Sequence, residues 1–92
     1  MPTVLLPSLL ATEAGGRNRF ELEAATVGEA LRALPIANLI FDDHGELRRL
    51  VNIYVEGVDM RERGGLEGAL APEETVRIVA AVAGGFANGT DR

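Results

Sequence analysis

A single amphipathic helix set between alternating strands is the feature that most limits the folds open to this chain. Thr26 is predicted to cap its N-terminus, with Glu29 completing a capping box, and Pro35 is predicted to end it. The apolar residues between them follow the helical spacing i, i+3, i+4 and i+7: Val27, Ala30, Leu31 and Leu34. A mixed sheet with this helix packed across it is the simplest way to bury that stripe.

The strands around the helix are predicted from alternation and from turn residues. Residues 3–10 are predicted to form the first strand, in which Pro7 indicates an edge position or a bulge. Residues 17–24 alternate and are predicted to pair with it as a hairpin. The remaining segments are predicted as an irregular stretch at 36–46, a strand at 47–56, a short return strand at 58–61, a helical turn at 64–70 and a last strand at 75–82.

This order of elements predicts an α+β fold, a mixed sheet of four to five strands with one main helix packed on it. With the first and last strands adjacent and central, the arrangement is a β-grasp, or ubiquitin-like, fold. The β-grasp domain is predicted to span residues 1–83. Residues 84–92 are predicted to be a flexible C-terminal tail, which holds Gly84-Gly85 and an extension at 86–92.

Charge and composition limit the partners and the compartment. The formal net charge is −5 and the basic residues are scattered along the sequence, which argues against a nucleic-acid partner. No apolar run reaches the roughly 20 residues of a membrane helix, and the N-terminus does not resemble a signal peptide. The chain has no cysteine. These features predict a protein of the cytoplasm that does not associate with membranes.

All 9 basic residues are arginine, and the chain has no lysine. A GC-rich genome, which favours Arg, Ala and Gly, accounts for this bias. A functional interpretation is that the C-terminus of the chain is chemically activated for a reaction. Lysine would then be avoided because its side-chain amine would attack the activated group. The two interpretations are compatible, and the sequence does not separate them.

The glycine pair Gly84-Gly85 follows the last predicted strand through a run of small residues. Because glycine has no Cβ, its backbone enters slots too narrow for other residues. We therefore predict that Ala83, Gly84 and Gly85 form a stem that is threaded into a narrow slot of a partner enzyme, which works on the carboxylate of the last glycine. The two other glycine pairs, at 15–16 and 64–65, lie between elements and are predicted to be turn glycines.

The chain resembles the ubiquitin-like sulfur carriers of the ThiS/MoaD family, best from Arg49 to Gly85. Within that family it looks most like the actinobacterial carriers that supply sulfur for cysteine biosynthesis from O-phosphoserine. The resemblance implies that an E1-like enzyme uses ATP to adenylate the Gly85 carboxylate, which a sulfur donor converts to a thiocarboxylate. It also implies a PLP-dependent cysteine synthase, or another enzyme, as sulfur acceptor, and no cofactor bound to the chain itself.

The sequence departs from that family at its end, because typical carriers stop at the second glycine. Here seven residues, Phe86 to Arg92, follow the pair. Some members are made as precursors that a JAMM-type zinc metalloprotease trims, and this chain looks similar to those. The resemblance therefore implies cleavage between Gly85 and Phe86.

Other polar and exposed residues suggest weaker functional interpretations. Leu50 and Tyr54 are predicted either to form part of a docking face or to cover a second apolar cluster beside residues 36–46. Asp42, Asp43 and His44 are predicted to form a solvated turn and not a metal site. The single serine, Ser8, is predicted to lie in a strand, so no catalytic triad can form and the chain is not predicted to be an enzyme.

Two other functions fit the same pattern. One is the small subunit of a molybdopterin synthase, whose glycine tail inserts permanently into a large catalytic subunit. The other is a β-grasp interaction module that is never activated and keeps its tail. It would bind partners through a face or an edge of its sheet.

Overall fold

Five strands form one mixed sheet in the computed structural model, which describes residues 1–80. The strands are β1 (Thr3–Leu5), β2 (Arg19–Glu21), β3 (Val51–Val55), β4 (Val58–Asp59) and β5 (Thr75–Ala80). The helices are α1 (Ser8–Glu13), α2 (Val27–Arg32) and α3 (Ala37–Ile40), and two 3₁₀ helices span Met60–Arg63 and Gly65–Glu67. No helix within residues 1–80 is long and apolar enough to cross a membrane.

The sheet has the order β2-β1-β5-β3-β4, with the first and last strands adjacent. β1 and β5 run parallel, with Val4 opposite Val76, whereas the β1–β2, β3–β5 and β3–β4 pairs are antiparallel. This topology confirms the predicted β-grasp fold. It also puts β5 in the middle of the sheet, so the strand that leads to the C-terminus is held on both sides.

The α2 helix supplies the layer that covers the sheet, and its cap is as predicted with one difference. The Thr26 hydroxyl accepts a hydrogen bond from the Glu29 N–H at 3.2 Å. The Glu29 carboxylate accepts one from the Ala25 N–H at 2.9 Å, one residue before the position that a standard capping box uses. The helix ends at Arg32, before Pro35.

The core lies between α2 and the inner face of the sheet. The predicted stripe is buried: it comprises Val27, Ala30 and Leu31 on the inner face of α2 and Leu34 just after the helix ends. The sheet contributes alternate residues to the same core: Val4 from β1, Phe20 from β2, Ile53 and Val55 from β3, and Val76 and Ile78 from β5. The alternation predicted for the strand at 47–56 is therefore confirmed, and β5 alternates in the same way.

The prediction for residues 3–10 is wrong beyond Leu5. β1 ends there, Pro7 is the N-cap of α1, and Ser8 begins that helix. β1 is also a central strand, so Pro7 marks neither an edge nor a bulge. The buried positions show the difference, because the consecutive residues Leu10 and Ala11 are both buried and Ala14 packs against the core, which is the pattern of a helix and not of a strand.

Other predicted boundaries are too wide. The second and third predicted strands shrink to β2 and β3, and the return strand stops at Asp59, where a 3₁₀ helix begins. The stretch at 36–46 is not wholly irregular, because it contains α3 and a bridge between Phe41 and Leu47. The single main helix thus has two short companions. Residues 81 and 82, and the domain boundary predicted after 83, lie outside the described residues.

The predicted turn glycines are confirmed. Gly15, Gly16, Gly64 and Gly65 all have φ between 69° and 97°. This is the left-handed region that favours glycine.

Candidate docking surface on the outer sheet face

The last strand, β5, leads to the predicted C-terminal site, and its two faces differ in burial. Val76 and Ile78 point inward and are 0% and 2% exposed. Arg77 and Val79 point outward, and Val79 is 39% exposed. The final described residue, Ala80, lies opposite Val51 of β3. The described part of β5 therefore ends beside β3, with its inner face already committed to the core.

The start of β5 is held by a carboxylate and an arginine that the sequence analysis did not connect. Glu74 accepts a hydrogen bond from Arg63 Nη2 at 2.6 Å and another from the Ala71 N–H at 2.9 Å. The Ala71 N–H and then the Arg63 guanidinium lower the pKa of the Glu74 carboxyl below its ordinary value. No sequence spacing signals this contact, because residues 63 and 74 are brought together by the turn before β5.

A second carboxylate ties the β3–β4 turn to the first residue of β5. Glu56 has φ 51°, and its carboxylate accepts a hydrogen bond from the Thr75 N–H at 2.7 Å. The β3–β4 turn is thereby tied to the first residue of β5. The Glu56 N–H also donates to the Thr75 carbonyl at 3.0 Å, which continues the β3–β5 register by one residue beyond Val55 and Val76.

The outer face carries a mixed row of side chains across the middle of the sheet. Arg77 lies opposite Leu5 of β1 and opposite Tyr54 of β3, and Tyr54 lies opposite Asp59 of β4. Tyr54 and Leu5 are half-buried, whereas Arg77 is exposed. The row combines apolar surface with charge, which is the composition of many protein interfaces.

The two residues predicted for a docking face occupy different places. Tyr54 lies within β3 on the outer face, but Leu50 precedes the strand and is 58% exposed. Leu50 therefore does not cover a second apolar cluster beside residues 36–46. Sequence reasoning missed Val79, which pairs with Asn52 on the same outer face. Its position in an alternating strand that ends in small residues was the available signal.

Asp59 and Arg61 form a tightly bonded pair beside this face. The Asp59 carboxylate accepts hydrogen bonds from the Arg61 N–H, Nε and Nη2 at 2.9, 3.1 and 2.7 Å. The Arg61 side chain is the main cause, and its backbone N–H the next, of an Asp59 pKa lowered from 3.8 to about 2. The same pairing raises the pKa of Arg61. The Asp59 carboxylate is thus already hydrogen-bonded to N–H groups of Arg61 in the same chain.

The remaining predicted polar candidates serve the backbone or lie elsewhere. Asp42 Oδ1 accepts hydrogen bonds from the His44 and Glu46 N–H groups at 2.8 and 3.0 Å, which closes the predicted turn. Within residues 1–80, no three His, Cys, Asp or Glu side chains converge as metal ligands do. Ser8 begins a helix and does not lie in a strand.

The predicted C-terminal site lies beyond the part of the chain that the structure describes. It consists of the stem Ala83, Gly84 and Gly85 and the cleavage position between Gly85 and Phe86.

The sheet order, the covering helix and a central last strand define a small β-grasp protein of the ubiquitin-like class. The chain belongs to the ThiS family, whose family model matches residues 4–85. It is 37% identical over 90 residues to the sulfur carrier protein CysO of Mycobacterium tuberculosis, covering 90% of this chain and 97% of that protein.

Two solved structures show the same likeness. The crystal structure of M. tuberculosis CysO, an antigen, has a TM-score of 0.79 and 34% identity, covering 89% of this chain and 100% of that one. A chain in the crystal structure of the Amycolatopsis orientalis BexX/CysO complex has a TM-score of 0.77 and 33% identity, covering 91% of this chain and 99% of that one.

Proposed function

We propose that this protein is a sulfur carrier, and that Gly85 is the residue that bears the sulfur. The observation that carries the proposal is the extent of the family match, which begins at residue 4 and ends at residue 85, on the second glycine of the pair. The identity to a sulfur carrier protein over 90% of the chain supports the same function. On this proposal the protein is a co-substrate of other enzymes and contributes no catalytic side chain.

The proposed chemistry starts with a cut. Hydrolysis of the Gly85–Phe86 amide by a JAMM-type zinc metalloprotease adds water across that bond and frees the Gly85 carboxylate. An E1-like enzyme then joins this carboxylate to AMP from ATP, with release of pyrophosphate. A sulfur donor displaces AMP, because AMP is a far better leaving group than hydroxide, and the product is a thiocarboxylate.

The proposed acceptor is a PLP-dependent cysteine synthase, so that the sulfur enters cysteine biosynthesis. The name of the relative from M. tuberculosis, CysO, supports this choice. A thiocarboxylate is a nucleophile fixed to a protein, and the acceptor enzyme obtains it by docking the carrier. The outer sheet face, with Tyr54, Arg77 and Val79, is the surface we propose for that docking, and Leu50 adds exposed apolar area beside it.

The test compares three forms of the chain, residues 1–92, 1–85 and 1–84, each incubated with the E1-like enzyme, ATP and sulfide. Intact-mass measurement of the 1–85 form is expected to show one oxygen replaced by one sulfur. The 1–92 form is expected to stay unchanged, because Gly85 has no free carboxylate there. The 1–84 form is expected to react poorly, because each residue removed shortens an extended stem by about 3.3–3.6 Å.

Several outcomes would contradict the proposal. If the 1–85 form gains no sulfur although the E1-like enzyme forms adenylate on another carrier, the chain is not a substrate. If protein recovered from cells short of cysteine still carries residues 86–92, the proposed maturation is wrong. Stable co-purification with a large catalytic subunit would point instead to a molybdopterin synthase, and a retained tail without activation would point to an interaction module.

A further inference from the structure

An arginine-lined cleft opens at the free side of β3. Its volume is about 220 Å³, and Arg48, Arg49 and Arg61 border it together with Val51, Asn52 and Asp59. It exists because β4 is short, pairing only with Tyr54 and Val55 before the chain turns into a 3₁₀ helix at Met60. The first part of β3 therefore has β5 on one side and, within residues 1–80, no strand on the other.

The cleft concentrates positive charge on a chain whose formal net charge is −5. Among the described residues that line it, three are arginines and one, Asp59, is an acid. Asp59 is paired with Arg61, so this pair contributes little net charge. Arg48 and Arg49 are adjacent in the sequence, and the β3–β4 hairpin brings Arg61 next to them.

Arg49 is the cation best placed to bind an external anion. It is exposed and makes no hydrogen bond or ion pair with any other residue in the range 1–80. Arg48 is held by a hydrogen bond from its Nη2 to the Asn38 carbonyl at 3.1 Å, and its other donors remain. Because its guanidinium is already fixed, Arg48 loses less conformational freedom on binding and serves as a second contact for the anion. Arg48 also borders a groove with Asp42 and Asp43, so we assign Arg49 the larger effect.

The size and position of the cleft indicate the kind of anion. At about 220 Å³ it is smaller than the roughly 300 Å³ at which small-molecule pockets begin, so its size suits a single carboxylate side chain better than a whole nucleotide. The acidic chain as a whole repels a polyanion such as nucleic acid. Val51, which borders the cleft, lies opposite Ala80, the last described residue of β5.

We propose that this cleft binds carboxylate side chains from an acidic segment of a protein partner, with Arg49 as the principal contact. The guanidinium fork matches the carboxylate in a bidentate geometry. The inference rests on the charge and shape of the cleft and does not require Gly85 to be activated. A partner that holds the last strand of this protein would meet the cleft at the neighbouring strand.

The test is an NMR titration of the ¹⁵N-labelled full-length chain with a blocked peptide of alternating glutamate and glycine. The amide signals of Arg49, Val51 and Asn52 are expected to shift, and the affinity is expected to fall as salt is added. A peptide with glutamine in place of glutamate, and inorganic phosphate alone, serve as the comparison probes. Both are expected to bind much more weakly than the glutamate peptide.

Two charge reversals of equal size make the test specific. Arg49→Glu is expected to lower the affinity for the glutamate peptide about fivefold, which corresponds to a loss of about 1 kcal/mol of binding free energy. Arg19→Glu, on the edge strand β2, is expected to leave the affinity unchanged, because Arg19 lies on the far side of the sheet order and pairs with Glu21 at 3.5 Å. Equal losses in both variants, equal binding of the glutamine peptide, or phosphate binding as tight as the peptide would each overturn the proposal.

Discussion

The two faces of β5 predict opposite responses to the same kind of substitution. Ile78 and Val79 are neighbours in one strand, yet Ile78 is 2% exposed and Val79 is 39% exposed. Ile78 lies opposite Ile53 on the inner face, whereas Val79 lies opposite Asn52 on the outer face. We therefore expect Ile78→Ala to destabilise the fold strongly and Val79→Ala to have a small effect.

The magnitudes follow from the buried carbon atoms that each substitution removes. Ile78→Ala loses about 2.4 kcal/mol of transfer free energy at about 0.8 kcal/mol per buried carbon, and the cavity raises the total to about 3–4 kcal/mol. Val79→Ala removes fewer and partly exposed carbons, so its expected cost is at most about 1 kcal/mol. A small domain has a total stability of about 5–15 kcal/mol, so the first variant approaches the limit of folding and the second does not.

Urea unfolding followed by far-UV circular dichroism measures both free energies of unfolding. The midpoint of Ile78→Ala is expected to fall well below that of the parent at an unchanged m-value, which reports the surface exposed on unfolding. Ile78→Val serves as a milder core control, with an expected cost of about 1 kcal/mol. Equal costs for Ile78→Ala and Val79→Ala would refute the assignment of the two faces, as would a Val79→Ala variant that is the less stable one.

Two further predictions concern contacts near the ends of elements. Thr26→Ala is expected to lower the free energy of unfolding by about 1 kcal/mol, because the Glu29 N–H loses its acceptor, whereas Thr26→Ser keeps most of it; equal losses in both would mean that the hydroxyl does not cap α2. Asp59→Asn is expected to be less stable than the parent at neutral pH. Because the Asp59 pKa is lowered from 3.8 to about 2, the stabilisation is complete above pH ~4 and is lost as the pH falls through that range. Urea midpoints measured from pH 7 downwards should converge, and a constant gap would contradict this linkage.

The elements that the sequence predicted well are those in which one periodicity dominates. The apolar stripe of α2 and the alternation of β3 and β5 each extend over enough residues to identify one type of element. Thr26 caps the start of the helix, and Pro35 cannot continue it. The central pairing of β1 with β5 followed from the order of elements, because a β-grasp leaves few other ways to cover one helix. Fold class was therefore accessible without any long-range information.

The errors fall where two periodicities agree over a few residues. In the first segment Leu5, Leu6, Leu9 and Leu10 fit a strand as well as a helix, and only the burial of the consecutive residues Leu10 and Ala11 distinguishes them. α3 is four residues long, too short for a helical pattern to appear. Contacts between distant residues were also out of reach, as Arg63 with Glu74 shows, since nothing in the local sequence links the two positions.

The division of β5 into two faces also constrains how a partner is recognised. The side chains of Val76 and Ile78 are buried in the core. A partner that engages the end of β5 can therefore contact only the outward-facing side chains of β5 and the neighbouring strands. Arg77 and Tyr54 lie on the outer face of the sheet, and the arginine cleft lies at the free side of β3, beside Val51. Both surfaces are basic or mixed in charge although the chain is acidic, which favours an acidic partner surface. Such charge complementarity raises the rate of encounter more than the final affinity. Substitutions at Arg49 or Arg77 should therefore change association without changing stability, and substitutions at Ile78 should do the reverse.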